Sequence, residues 1–273
     1  MRQFWVKNAK GQIFDMNRED AFFGNPKGLG IDRDTKYERV GYSYTEVENE
    51  LEQSKPNGTM VFDGYEQYDE FLDIVKYTPL IFMYQPLDTM YYMDVNTFTI
   101  EKTEIDYKKV FLSCKVVFEG NSPWYIQKKA SVQSNEAEGK IYEYTYPYQY
   151  AENSAGTMAL ENNSSKDAYC RLIIYGYAED PSWNLKQDGE ILYSGAVSTT
   201  IHTGEILVVD SDPTEYEIYR YDESGARSED LYGSSDFDTE RFLYIPPGKS
   251  ILAVSHSGSD TISFRVEVTE FVG

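Results

Sequence analysis

The chain of 273 residues is strongly acidic, with 46 Asp and Glu against 25 Lys and Arg, a net charge of −21. An apolar fraction of 41% with 15% aromatics is that of a packed protein, large enough for one big or two ordinary domains. There is no basic footprint to neutralise phosphates and no apolar run near the ~18–20 residues of a membrane span. Sequence-specific nucleic-acid binding and membrane insertion are therefore not expected.

The first residues, Met1-Arg2-Gln3-Phe4-Trp5-Val6, enter a strand-like run without the apolar core of a signal peptide, so secretion is not expected either. Phe4–Val6 and Ile13–Asp15 flank a turn through Asn8–Gly11 and read as a hairpin. A loop follows, most turn-prone at Asn25–Gly30. Between Ile31 and Glu52, Tyr37, Tyr42 and Tyr44 favour long polar strands, although Val47 and Leu51 among glutamates would also suit a helix. Asn57-Gly58 is a hairpin signal feeding a strand at Thr59–Phe62.

From Gly64 to Tyr77 the pattern changes. Tyr65, Tyr68, Phe71, Leu72 and Val75 recur at three- and four-residue steps among acidic residues, which is one apolar stripe on a helix. Pro79 ends it. A helix in so β-rich a chain must lie on a sheet, and burying the five side chains is worth about 8–15 kcal/mol as an upper bound. Strands are then expected at Leu80–Tyr84, Met90–Val95, Phe98–Lys102 and Val110–Phe118, with Ser122-Pro123-Trp124 closing this half.

The polar stretch 127–139 reads as a linker between a first domain, 1–126, and a second, 140–273. The second half is β throughout, with runs at Ile141–Tyr150, Tyr169–Tyr177, Ile191–Ser194, Glu205–Asp210, Tyr216–Tyr221, Phe242–Ile245 and Ser250–Val254. In Thr261–Thr269, Ile262, Phe264, Val266 and Val268 alternate with polar residues. Short strands separated by Gly, Pro, Asp and Ser turns point to an antiparallel sandwich. The fold class expected is mainly β, with one helix on a sheet in a sandwich-like first domain.

Little in the chain points to catalysis. His202 and His256 lie in no recognisable motif, and no Gly-x-Ser-x-Gly elbow accompanies His256, which reads as an exposed turn residue. Asp210, Asp212 and Glu215, and Asp236, Asp238 and Glu240, lack the glycine and spaced glutamate of a calcium loop and read as solvated acids. No enzyme activity, metal or cofactor is expected. Cys114 and Cys170 fall in strand-like runs and read as buried free thiols. Tyr142, Tyr144 and Tyr146 on one side of an extended run, and Trp183, are the candidate glycan-facing aromatics, against ordinary sandwich packing.

The order of Asn25–Ile31, Gly58–Phe71, Leu80–Val95, Glu101–Ile105 with Leu112–Phe118, Ser122–Trp124 and Phe242–Gly248 with Ile251–Ser255 resembles the distal tail proteins of siphophages infecting Gram-positive bacteria. The resemblance covers most of 1–125 and about the last 35 residues. It implies a structural hub in the virion tail tip, a homo-hexameric ring of first domains that joins the tail tube to the baseplate and lets DNA pass. The implied partners are the tail tube protein, a tail-associated protein next to the tape measure, and receptor-binding or baseplate proteins. It also implies an outward-facing second domain like a galectin or a carbohydrate-binding module, and no catalytic residues. A non-catalytic carbohydrate-binding module for host adhesion is the alternative. Charge bears on the geometry of such a ring: residues 1–130 carry 16 − 21 = −5 and residues 131–273 carry 9 − 25 = −16. Self-repulsion among six second domains favours placing them at the periphery.

Overall fold

The structure is a computed structural model that describes residues 2–106, 111–132, 155–258 and 261–272. The chain divides into two compact units, Met1–Gln127 with Phe271–Gly273, and Lys128–Glu270. Among the described residues it is mainly β, with one α-helix.

The first unit contains β1 (Gln3–Lys7), β2 (Ile13–Asp15), β3 (Ala21–Lys27), β4 (Arg33–Val40), β5 (Ser43–Leu51), β6 (Asn57–Phe62), α1 (Tyr65–Val75), β7 (Leu80–Gln85), β8 (Tyr91–Asp106), β9 (Phe111–Gly120) and the start of β10 (Tyr125–Val132). Two antiparallel ladders, β2–β1–β7–β8 and β8–β9–β6–β3, share the long strand β8. Its first residues pair with β7 up to Val95, and from Val95 onward it pairs with β9, with a bulge between Val95 and Thr97. A bulge bends a strand and strengthens its twist, which lets one strand serve both layers of a sandwich. The two runs expected at Met90–Val95 and Phe98–Lys102 are thus one strand.

Alternate residues of each ladder face inward, Phe4, Val6, Phe82 and Met93 from the first layer and Phe23, Met60, Phe62 and Phe118 from the second. Rings from the two layers meet edge to face or tilted, with Phe4–Phe23 centroids at 5.1 Å and Phe82–Phe118 at 4.7 Å. Helix α1 joins this core through Tyr68, Phe71 and Val75. Gly64 precedes it at φ +106°, a conformation that side-chain-bearing residues rarely adopt.

Arg18 holds the middle of the helix, pairing with Asp20 and Glu70 at 2.8 Å each; both carboxylates push its guanidinium pKa further up. Asn8 holds its end. The buried amide donates to Ile74 O at 3.0 Å and to Gln12 Oε1 at 2.9 Å, while its oxygen accepts from Lys10 N and Gln12 N.

Several expectations are corrected here. The helix runs over 65–75 rather than 64–77, and Tyr65 points outward beneath the Lys102 ammonium. Three buried side chains reduce the helix contribution to about 4.5–9 kcal/mol. The segment read as a loop contains β3. Asn57 and Gly58 make no turn, because both lie inside β6 opposite Val117 and Val116. Gly58 is needed for space, since a Cβ there would sit 2.7 Å from the Phe23 ring. Residues 127–132, expected in the linker, continue β10; there Lys128 pairs with Glu270 and Lys129 with Glu267. The rest of the expected linker, 133–139, lies outside the described residues.

The second unit contains β11 (Ala155–Asn162), β12 (Ala168–Tyr175), β13 (Ala178–Glu179), β14 (Ser182–Gln187), β15 (Glu190–Ala196), β16 (Thr200–Ile201), β17 (Ile206–Asp210), β18 (Glu217–Tyr221), β19 (Arg227–Asp230), β20 (Tyr244–Ile245), β21 (Gly248–Ser255) and most of β22 (Ser263–Phe271). Antiparallel sheets β19–β18–β17–β12–β22 and β11–β21–β14–β15 enclose a second core. Leu172, Ile174, Leu207, Val209, Phe264 and Val266 face Leu160, Trp183, Leu185, Leu252 and Val254. Cys114 and Cys170 are buried free thiols, one in each core, and burial pushes the Cys170 pKa up. The last described residues return to the first unit, where Val272 N donates to Trp124 O at 2.7 Å and the Phe271 ring meets Tyr125 edge on.

Candidate functional site

The most exposed element of the first unit is the hairpin β4–β5. It is a two-stranded sheet of its own, paired from Arg33↔Leu51 to Val40↔Ser43 around Gly41. Residues directly opposite each other share a face and neighbours along β4 alternate, so Leu51, Thr35, Asn49, Tyr37, Glu46 and Tyr44 line one side and Asp34, Glu50, Lys36, Glu48, Thr45 and Val40 the other. A bulge between Lys36 and Tyr37 adds Val47. Neither side is covered: Tyr42 at the tip is 99% exposed, Tyr44 71% and Val40 63%. An isolated two-stranded ribbon is marginal in water, and these side chains have no core of their own to enter.

In the second unit the acids expected in solvated loops divide. Asp210 is buried at the end of β17, where Asp212 N donates to it at 2.9 Å and Arg171 lies 3.7 Å away. Burial raises its carboxyl pKa to about 6, against the lowering effect of the Asp212 amide and Arg171. Asp212 instead accepts from Thr214 N, and Asp236 from Asp238 N, which are local turn contacts. Among the described residues no three His, Cys, Asp or Glu side chains converge as metal ligands.

His256 corrects the expected exposed turn. It is buried, and its Nδ1 accepts from Glu179 N and Gly258 N, both at 3.2 Å. The imidazole thus adds to the backbone bond from Ser257 N to Glu179 O at this end of the sandwich.

Trp183 corrects the expected glycan-facing aromatic. It is 2% exposed in the core, its Nε1 donates to Arg241 O at 2.8 Å, and Gly195 leaves room for its ring. Tyr142, Tyr144 and Tyr146 lie outside the described residues. The aromatic surface that the structure does display was not singled out in the sequence. Tyr216, Tyr232 and Phe237 come together around Phe242, with the Tyr216 and Phe242 rings stacked at 3.9 Å. Tyr232, Phe237 and Phe242 recur at five-residue steps and Tyr216 lies sixteen residues before them, a spacing that matches neither a helix nor a strand, so no sequence signal joins them.

Residues 3–121 match the family model of the distal tail protein N-terminal domain. The match spans 119 of the 273 residues, a little under half of the chain, and makes that segment similar to distal tail proteins. Similar solved structures cover nearly the whole chain. A chain of the phage P2 baseplate in its activated conformation with calcium has 13% identity and a TM-score of 0.66, over 98% of each chain. The same baseplate with strontium gives 14% identity and 0.68 over 98% of each chain. The Dit protein of phage SPP1, described as a paradigm of the hub adsorption apparatus in phages infecting Gram-positive bacteria, gives 10% and 0.60 over 99% of each chain. At these identities the likeness is one of fold. No curated protein matches the sequence. No helix among the described residues is long and apolar enough to cross a membrane.

Proposed function

We propose that six copies of the chain form a ring through their first units, and that the ring is a hub between tail tube and baseplate through which DNA passes. The observation that carries this reading is the uncovered hairpin β4–β5 on a segment that matches the distal tail protein N-terminal domain. Its tyrosines and valines are exposed in the single chain, so a neighbouring copy is the natural cover. A hairpin at one place on the surface and its seat elsewhere make a head-to-tail contact, the kind that closes into rings. The tail tube protein and a tape-measure-proximal protein would meet one side of such a ring, and receptor-binding or other baseplate proteins the other. The role is structural, at the virion tail tip, and needs no chemistry.

Mass photometry and negative-stain imaging test the ring. The full chain at micromolar concentration should give six-fold rings, and replacing residues 32–52 with a short Gly-Ser link should leave folded monomers. Monomers alone from the intact chain, or rings that survive without the hairpin, would overturn the assignment.

A further inference from the structure

The second unit carries 11 basic against 25 acidic residues over 128–270, or −14. None of that excess lies in the sheet β11–β21–β14–β15. Its four strands hold two acids, Glu161 and Glu190, and two lysines, Lys186 and Lys249, and the central strands β14 and β21 hold no acid at all. The outer face of the other sheet is different, with Arg171, Asp210, Glu217, Arg265 and Glu267 engaged in ion pairs.

Trp183, Leu185, Leu252 and Val254 of the neutral sheet point into the core, so their neighbours along each strand point out. Cross-strand register gathers those neighbours into rows. Ala159, Ile251, Lys186 and Ile191 lie side by side across all four strands, and Thr157, Ala253, Asn184 and Ser194 form an uncharged row beside them. Ile191 is 57% and Ile251 52% exposed, and the register shift between β14 and β15 leaves Leu192 38% exposed. Small and aliphatic side chains thus cover one whole face of a strongly acidic unit.

We propose that this face docks against the same face of a second copy of the chain. The charge distribution selects that occupant. Units of −14 repel one another, and the repulsion is least where both contribute a face without excess charge. A basic partner would be drawn to the acidic surfaces instead, and a strongly acidic one would be repelled by the unit as a whole. Small side chains suit sheet-on-sheet packing, in which the two sheets stand about 10 Å apart. A two-fold pairing uses one patch twice and needs no second site.

Size sets the strength. Four strands about 4.8 Å apart and about six residues long make a face of about 400 Å² in plan, half the ~800 Å² per partner of a standard interface. The contact is therefore weak between free chains. It becomes effective where copies are already held side by side, at the millimolar effective concentrations of linked modules.

Sedimentation velocity of the full chain from about 10 to about 300 µM tests it, at about 0.1 M and about 1 M salt, where Debye lengths are about 10 and 3 Å. The species present at low concentration should double in mass as concentration rises. The doubling should need less protein at the higher salt, because screening removes the repulsion while the apolar contact persists. With residues 32–52 replaced as above, the same step is read from monomer to dimer, apart from any ring. Ile251→Asp and Ile191→Asp each set like charges against each other across the two-fold, and should raise the concentration needed at least about tenfold. Ile251→Val should leave it unchanged, as should Leu87→Asp at an exposed position of the first unit. Thermal melts establish that the variants fold. No doubling at either salt, a doubling that salt weakens, or one that both aspartates leave intact would overturn the proposal.

Discussion

Replacing Asp210 with Asn should stabilise the protein at alkaline pH. The carboxyl is 5% exposed and its pKa is raised to about 6 by burial, against about 3.9 in an unfolded chain. The folded state therefore binds this proton more tightly than the unfolded state does. Below pH ~4 both states are protonated and the group costs nothing. Between pH ~4 and ~6 the unfolded state ionises first, and stability falls. Above pH ~6 the full cost is present, two pKa units at about 1.4 kcal/mol each, or about 3 kcal/mol.

Asparagine keeps an acceptor for the Asp212 amide, so that contact at 2.9 Å survives. The attraction to Arg171 at 3.7 Å is lost as well, but the net raised pKa already contains it, and Glu217 remains 4.0 Å from that arginine. The gain at pH 8 is therefore about 3 kcal/mol at most, shrinking markedly at pH 5. Urea unfolding of both proteins at pH 5 and pH 8, followed by tryptophan fluorescence, measures the difference. A loss of stability at pH 8, or a gain that is the same at both pH values, would show that the ion pair and not desolvation controls this site.

Three further substitutions probe the first unit. Phe71→Ala removes a fully buried ring that packs against Phe14 and Phe62 and should cost about 3–5 kcal/mol in denaturant unfolding. Asn8→Ala strips the end of α1 of its side-chain donor and orphans two backbone amides in the β1–β2 turn; a loss of about 2–4 kcal/mol is expected, and hydrogen exchange should show the helix end opening first. Gly58→Ala places a methyl 2.7 Å from the Phe23 ring and 2.8 Å from Gly24 O, so thermal melting should register a loss of about 1–3 kcal/mol; an unchanged melting temperature would mean that β3 can move away freely.

What could be read in advance followed periodicity. The alternation of Ile262, Phe264, Val266 and Val268 places all four in the second core, and the three- and four-residue stripe locates α1 to within two residues at either end. Local signals misled wherever a tertiary partner reassigns them. Asn57-Gly58 has turn chemistry, but the glycine serves the close approach of Phe23. Ser255-His256-Ser257-Gly258 has the composition of an exposed turn, yet the imidazole is needed inside to satisfy two backbone donors. Lys128 and Lys129 give 127–132 the polarity of a linker, but they are charged residues on a strand, paired with glutamates of β22. The aromatic surface draws on residues from 216 to 242, and nothing in their spacing announces that Phe242 gathers them.

The path of the chain gives its closing residues a particular weight. Residues 128–270 fold between two stretches of the first unit, and Val272 comes home to the carbonyl of Trp124. During synthesis, the first unit emerges from the ribosome nearly complete but must wait for the whole second unit before its last backbone bond can close. Its final docking step thus waits until residues 271–272 have been added. The first unit completes its backbone bonding only after a separate sandwich has been made between its two stretches.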